Sequence, residues 1–233
     1  MASKNFFFRL TIILTICSVF LTGFGLHSAT ILPVTGSASL FQAIAPRHLD
    51  TINTDENFIA LSDFISSVKS SNAAGITGVY VKNKLAFPVV QQPKGQPGYV
   101  STKDGITTQF GMANAYDVIG MLAHNYLAGK KFFDLKVGDE IMVVSGNGST
   151  EKFTVTEIKK YQALSPNSAS SNFVDLSTNE TISASELFSR VYTGKHHLTM
   201  QTCIQEGKVD SWGRLFVLAV PSTSPITGTT TIH

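Results

Sequence analysis

The chain has little that could cross-link it or make it strongly charged. Its 233 residues include two cysteines, Cys17 and Cys203, so there is no disulfide framework of the kind that staples small secreted domains. Charged residues make up 15% of the sequence and the net charge is +2. No basic run or stripe interrupts it, which argues against a nucleic-acid-binding surface. Tryptophan occurs once, whereas phenylalanine occurs sixteen times, and 43% of the residues are hydrophobic. That balance excludes a disordered chain and supports one packed domain with an appendage.

The uncharged residues are concentrated first near the N-terminus. Lys4 and Arg9 precede Leu10 to Leu26, seventeen residues without charge. A positive flank followed by an apolar run predicts a signal peptide or a signal anchor within residues 1–29, and in either case an extracytoplasmic protein. If the anchor is retained, the protein is held at the cell membrane; if it is cleaved at His27-Ser28-Ala29, the protein is secreted. Beyond this segment only Cys203 remains, so no disulfide is expected within the exported part.

Residues 30–74 read as a linker and an amphipathic helix. Phe58, Leu61, Phe64, Ile65 and Val68 recur at helical spacing over Asp55 to Ser70, with Thr54 or Asp55 as the expected cap. From Gly75 the period shortens to that of strands. The runs are Ile76–Val81, Ala86–Gln91, Ile106–Phe110, Ala115–Met121, Glu140–Val144, Phe153–Tyr161, Leu198–Cys203 and Leu215–Val220. Turn sequences such as Lys94-Gly95-Gln96-Pro97-Gly98 separate them, and Ser185–Tyr192 is the one further helix expected. Many short strands with few helices predict an all-β barrel or sandwich over residues 75–221, followed by a tail over 222–233.

A lone cysteine is usually a small buried hydrophobe. Its neighbours give this one another reading. A thiol attacks acyl groups as the thiolate, so it needs a base or cation nearby and donors for the oxyanion that develops. The alternating strand Leu198-Thr199-Met200-Gln201-Thr202-Cys203 ends at the sulfur. Glu206 to Gly213 then turns into a second apolar strand that begins with Arg214. If the two strands pair, Arg214 can lie beside Cys203. His124 follows the apolar run Val118–Ala123, and the alternative bases are His196 and His197. Neither has a cysteine or carboxylate at zinc-site spacing, so no metal site is expected.

Three blocks carry a resemblance. Thr199-Met200-Gln201-Thr202-Cys203 resembles the sortase motif Thr-Leu-x-Thr-Cys, with Met for Leu. Arg214 with Val217 and Ala219 is similar to the sortase arginine strand. His124-Asn125 followed by Gly129, Phe132, Leu135, Gly138, Asp139 and Ile141 resembles the stretch after the family's histidine, although Ala123 replaces a common Gly. The blocks occur in the family's order over residues 75–221.

The resemblance implies a closed barrel of about eight strands and a cysteine transpeptidase. Cys203 would be the nucleophile, His124 the acid/base and Arg214 the oxyanion stabiliser, with Thr202, Asn125 and Trp212 as candidate substrate contacts. The substrate would be a surface protein bearing a Leu-Pro-x-Thr-Gly-like sorting motif, and the acceptor an amine of the cell envelope. No organic cofactor is implied, and calcium dependence is open. The polar stretch between Tyr161 and Gly194 occupies the place of the sortase specificity loop. Leu32-Pro33-Val34-Thr35-Gly36 itself has the sorting-motif form but follows the apolar segment, which makes it a linker coincidence or an internal pseudosubstrate. Two other readings are a cysteine hydrolase that passes the acyl group to water and a non-catalytic tethered β-barrel.

Overall fold

The computed structural model describes residues 58–222 apart from Ala169. The apolar segment Leu10–Leu26, the linker with Leu32–Gly36, the expected caps Thr54 and Asp55, and the tail from 223 onward lie outside the described residues. Among the described residues no helix is long and apolar enough to cross a membrane.

Among the described residues there are ten strands. They are β1 (Ile76–Val81), β2 (Leu85–Gln91), β3 (Thr107–Gln109), β4 (Val118–Leu122), β5 (Glu140–Ser145), β6 (Thr150–Ala163), β7 (Phe173–Asp175), β8 (Thr181–Ile182), β9 (His197–Glu206) and β10 (Val209–Pro221). Their spatial order is β10-β9-β4-β3-β2-β1-β5-β6-β7-β8, and β10 also pairs with β6. That last pairing closes eight strands into a ring and leaves β7 and β8 as an extension of β6. Closure satisfies the edge hydrogen bonds that an open sheet would leave exposed. The barrel is mixed: β2–β3 and β4–β9 are parallel, and the other pairs are antiparallel. A closed eight-stranded barrel with few short helices is the architecture that the sortase resemblance implied.

Alternation along the strands separates two apolar clusters. Leu198 and Met200 of β9, Leu215, Val217 and Ala219 of β10, and Ile119 and Met121 of β4 join Val79, Val81, Ile141 and Phe153 in the cluster that fills the barrel. The opposite faces of the same strands carry Val118 and Leu122 of β4 and Phe216 of β10. These pack outside the barrel with Phe110, Phe173, Leu187, Phe188, Val191 and Tyr192. The last four belong to helix α2 (Ala184–Tyr192), which begins at Ser183, whose side chain accepts the Glu186 N–H.

Helix α2 is tied to β9 as well as packed on it. Thr199 Oγ1 donates to the Val191 carbonyl at 2.6 Å, and Tyr192 Oη donates to Gln201 Oε1 at 2.7 Å. Both bonds are buried, so they fix the helix on the strand that carries Cys203.

Several boundaries differ from the sequence expectation. Helix α1 spans Leu61–Val68, with Ala60 as a cap that makes no side-chain bond. It is half the expected length, and it buries Phe64 and Val68 against Tyr80 and Val144. The run Ala115–Met121 divides into a 3-10 turn at Ala113–Tyr116 and strand β4, because Asp117 adopts a left-handed conformation between them. The polar stretch after Tyr161 contains the short strands β7 and β8, too brief for their periodicity to stand out.

Phe110 is fully buried, with its ring 5.0 Å from Tyr192 and 6.5 Å from Phe188. Phe110→Ala is expected to cost about 3–5 kcal/mol in urea unfolding, as for other large-to-small changes in packed clusters. A loss below about 1 kcal/mol would mean that α2 is not seated on this ring.

Candidate active site

The sulfur-bearing strand lies between β4 and β10, and its registers set Arg214 opposite Cys203 and lead toward His124. On one side the antiparallel pairing sets Arg214 directly opposite Cys203. On the other, the parallel pairing runs from Val118 opposite His197 to Leu122 opposite Gln201. Continued by two residues past the end of β4, the same register would bring His124 level with Cys203. The continuation has its own bonds: Ala123 N–H donates to the Gln201 carbonyl at 3.2 Å, and Thr202 Oγ1 donates to the Ala123 carbonyl at 2.9 Å. Adjacent strands are roughly 4.8 Å apart, so the three positions form a short lateral row. Since Met200 and Leu215 face the barrel interior, Cys203 and Arg214 are on its outer face by alternation.

The segment that presents His124 is built around a glycine. The His124 carbonyl accepts the N–H groups of Leu127 and Gly129, both at 3.0 Å. A Cβ on Gly129 would lie 2.7 Å from the His124 carbonyl oxygen, 2.8 Å from that of Ala123, and against Thr202 Oγ1. Only glycine lets the chain turn this tightly beneath the histidine. The rest of that sequence block is structural. Phe132, Leu135 and Ile141 are buried in the barrel cluster. Gly138 has φ +92°. The Asp139 carboxylate accepts Lys84 Nζ at 2.5 Å and the Lys136 N–H at 2.7 Å.

His124 is partly buried, and burial pushes its pKa below the ordinary value of 6.5, opposed by a hydrogen bond to the Val100 backbone. Its ring stacks on Tyr126, with centroids 5.2 Å apart and planes 21° apart. Val100 and Tyr126 were not evident from the sequence. The first acts through a carbonyl, and the second is an exposed aromatic in a turn, so neither belongs to an apolar pattern.

Arg214 is 2% exposed. Burial pushes its pKa down to about 10, which still leaves the guanidinium charged at neutral pH. Nη1 donates to the carbonyls of Ser211 and Gly213 at 2.8 and 2.9 Å. The Phe173 ring centroid lies 6.0 Å from the guanidinium carbon, within cation–π range. Ser211 Oγ in turn donates to the Pro166 carbonyl. The segment after β6 thus lines the arginine's surroundings. Tyr161 on β6 is directly opposite Arg214, so it is next in the same lateral row.

Cys203 is 3% exposed, and its sulfur belongs to a disulfide in this structure. The chemistry considered below belongs to the reduced thiol.

The remaining candidates divide. Asn125 Nδ2 donates to the Asp210 carbonyl at 3.2 Å, joining the turn after β4 to the start of β10. Trp212 is half-buried and two residues before Arg214, beside the register shift between Val209 and Gly213. Thr202 is 2% exposed, on the interior side of β9, with its hydroxyl taken up by Ala123. It holds the histidine segment to the cysteine strand.

His196 and His197 are at the far end of β9. Six residues of strand put His197 roughly 20 Å from Cys203. The His196 ring bonds the Asp117 carbonyl and Glu151 Oε1, both at 2.9 Å. Burial lowers its pKa, but these bonds and the two carboxylate charges outweigh that and leave it raised.

No protein-family model matches the chain, and no curated protein does. Solved sortase structures resemble it in part. Sortase C1 from Streptococcus suis is 12% identical, covering 71% of this chain and 80% of that one with a TM-score of 0.44. A Clostridium perfringens sortase D5 transpeptidase is 14% identical, covering 71% and 90% with a TM-score of 0.40. Listeria monocytogenes sortase A is 12% identical, covering 64% and 88%, also with a TM-score of 0.40.

Gly129→Ala is expected to displace the histidine turn, since two of the three close atoms are backbone. Overpacking of this kind costs about 1–3 kcal/mol. Chemical denaturation measures that cost, and unchanged stability would show that the turn is looser than described.

Proposed function

We propose that the chain is a membrane-tethered, extracytoplasmic cysteine transpeptidase of the sortase type. Reduced Cys203 attacks a sorting-motif peptide, His124 moves the proton and Arg214 stabilises the oxyanion. The observation that carries this reading is Arg214 directly opposite Cys203 on one side, with the β4 register, which ends at Leu122 opposite Gln201, leading toward His124 on the other.

The steps follow from that arrangement. The neutral imidazole donates one N–H to the Val100 carbonyl. Its other nitrogen is left as an acceptor and takes the proton of the Cys203 thiol. The sulfur forms a bond to the carbonyl carbon of the scissile peptide, and the oxygen becomes an oxyanion. Arg214 is charged and shielded from bulk water, so its N–H groups stabilise that oxygen more than they would at the surface. The C–N bond then breaks, and the imidazolium gives its proton to the departing amine. The resulting thioester is attacked by an envelope amine, whose proton returns to His124, and Cys203 is released. This chemistry calls for no organic cofactor. Partners are sorting-motif proteins, the accepting amine and, through residues 1–29, the membrane.

The decisive assay supplies a Leu-Pro-x-Thr-Gly-type peptide and an amine under reducing conditions. A ligated product supports transpeptidation, whereas free acid alone supports the hydrolase. Cys203→Ala should show no turnover. Arg214→Lys loses the planar fork and should fall about a hundredfold or more in kcat. His124→Ala should lose roughly as much, while His197→Ala should retain activity; the reverse order would exclude His124 as the base.

The pH profile gives a further test. Burial holds the imidazole pKa below its ordinary value of 6.5, which favours the neutral form of His124 at pH 7. The acid limb of kcat/KM is therefore expected below pH 6.5, and a limb above it would contradict a neutral resting imidazole.

A further inference from the structure

We propose that Tyr126 is a positioning residue for this reaction: its ring lies against the His124 imidazole and stabilises the imidazolium formed when the thiol proton is taken up. The inference deepens the reading of His124 as proton acceptor and rests on it. The two rings are 5.2 Å apart at centroid and inclined by 21°, a stacked arrangement and not an edge contact. Tyr126 is 58% exposed, so packing in a core does not explain why its ring lies there. It belongs to the turn whose Leu127 and Gly129 N–H groups bind the His124 carbonyl, so the backbone that places the imidazole also places its neighbour.

The face of a phenol ring is negative, and it attracts a cation more than a neutral ring. Stacking therefore favours the imidazolium over the imidazole. In this site it opposes burial, which favours the neutral form. The neighbouring elements carry Cys203 on β9 and Arg214 on β10, Asn125 beside the imidazole bonds the Asp210 carbonyl, and the loop of Val100 also carries Lys103 and Asp104. The proton transferred from sulfur to nitrogen thus rests on a ring with a negative face beneath it until the leaving amine takes it.

The test is a histidine NMR titration of the reduced full-length chain, with the His124 signal among the six histidines identified by its loss in His124→Gln. Tyr126→Leu keeps most of the cover and removes the π face; it should lower the His124 pKa by about half a unit. Tyr126→Phe keeps the face and should leave the value unchanged. In the kcat/KM profile for a sorting-motif peptide, the acid limb should move with the titration in the Leu variant and be restored in the Phe variant. An unchanged or raised pKa in Tyr126→Leu overturns the proposal, as does a change in KM with no movement of the limb. The titration needs no turnover: if the wild type fails to ligate, the transpeptidase reading fails while the ring interaction is still measured.

Discussion

The structure depends on barrel closure, because closure sets which residues on separate strands stand side by side. β9 has no freedom to slide. It is parallel to β4, antiparallel to β10, and clamped from outside by α2 through Thr199 and Gln201. A slip of one residue would turn Met200 and Leu198 out of the barrel and bring Cys203 inside it. The apolar alternation that stabilises the barrel therefore also fixes the sulfur on the outer face, opposite Arg214. The Thr202 bond to the Ala123 carbonyl and the turn at Gly129 add to this registration on the histidine side.

Electrostatics follow from the same placement. A guanidinium that is almost wholly buried costs desolvation, and the Ser211 and Gly213 carbonyls with the Phe173 ring offset part of it. What remains is a cation in a poorly solvated position, where its field is strong on one side. The imidazole on the other flank is held near neutrality by burial and is partly solvated. A permanent cation and a base that begins neutral suit the two demands of acyl transfer, which are stabilising negative charge and accepting a proton. Both flanks are built by segments outside the three strands, the Val100 loop on one and the chain after β6 on the other.

Much of this was legible in the sequence, for identifiable reasons. The strand runs were visible because each alternates or is continuously apolar, and β1 begins and ends at the expected residues Ile76 and Val81. The three blocks pointed to His124, Cys203 and Arg214 because a short motif fixes residue types around each. Sequence alone could not supply the registers, since pairing depends on which strands become neighbours on closure. It also misassigned elements set by single backbone angles. The left-handed Asp117 splits a run that reads as one strand, and helix α1 is only as long as the surface that Phe64 and Val68 can cover. Gly129 stood out as part of a motif, but its reason is spatial: two carbonyls and a hydroxyl fill the place of its side chain. Thr202, a candidate substrate contact in the sequence, lies by strand parity on the inner side and bonds the Ala123 carbonyl.

The central claim is that the Cys203 sulfur becomes acylated by a sorting-motif peptide. Intact-mass and peptide-mapping mass spectrometry of the reduced full-length protein, quenched in acid soon after mixing with such a peptide and no amine acceptor, tests it most directly. The account predicts a thioester on Cys203 with the mass of the peptide's N-terminal fragment ending at its threonine, discharged when an amine is added. Peptide cleavage with no adduct on Cys203, or an adduct that persists in Cys203→Ala, would contradict it.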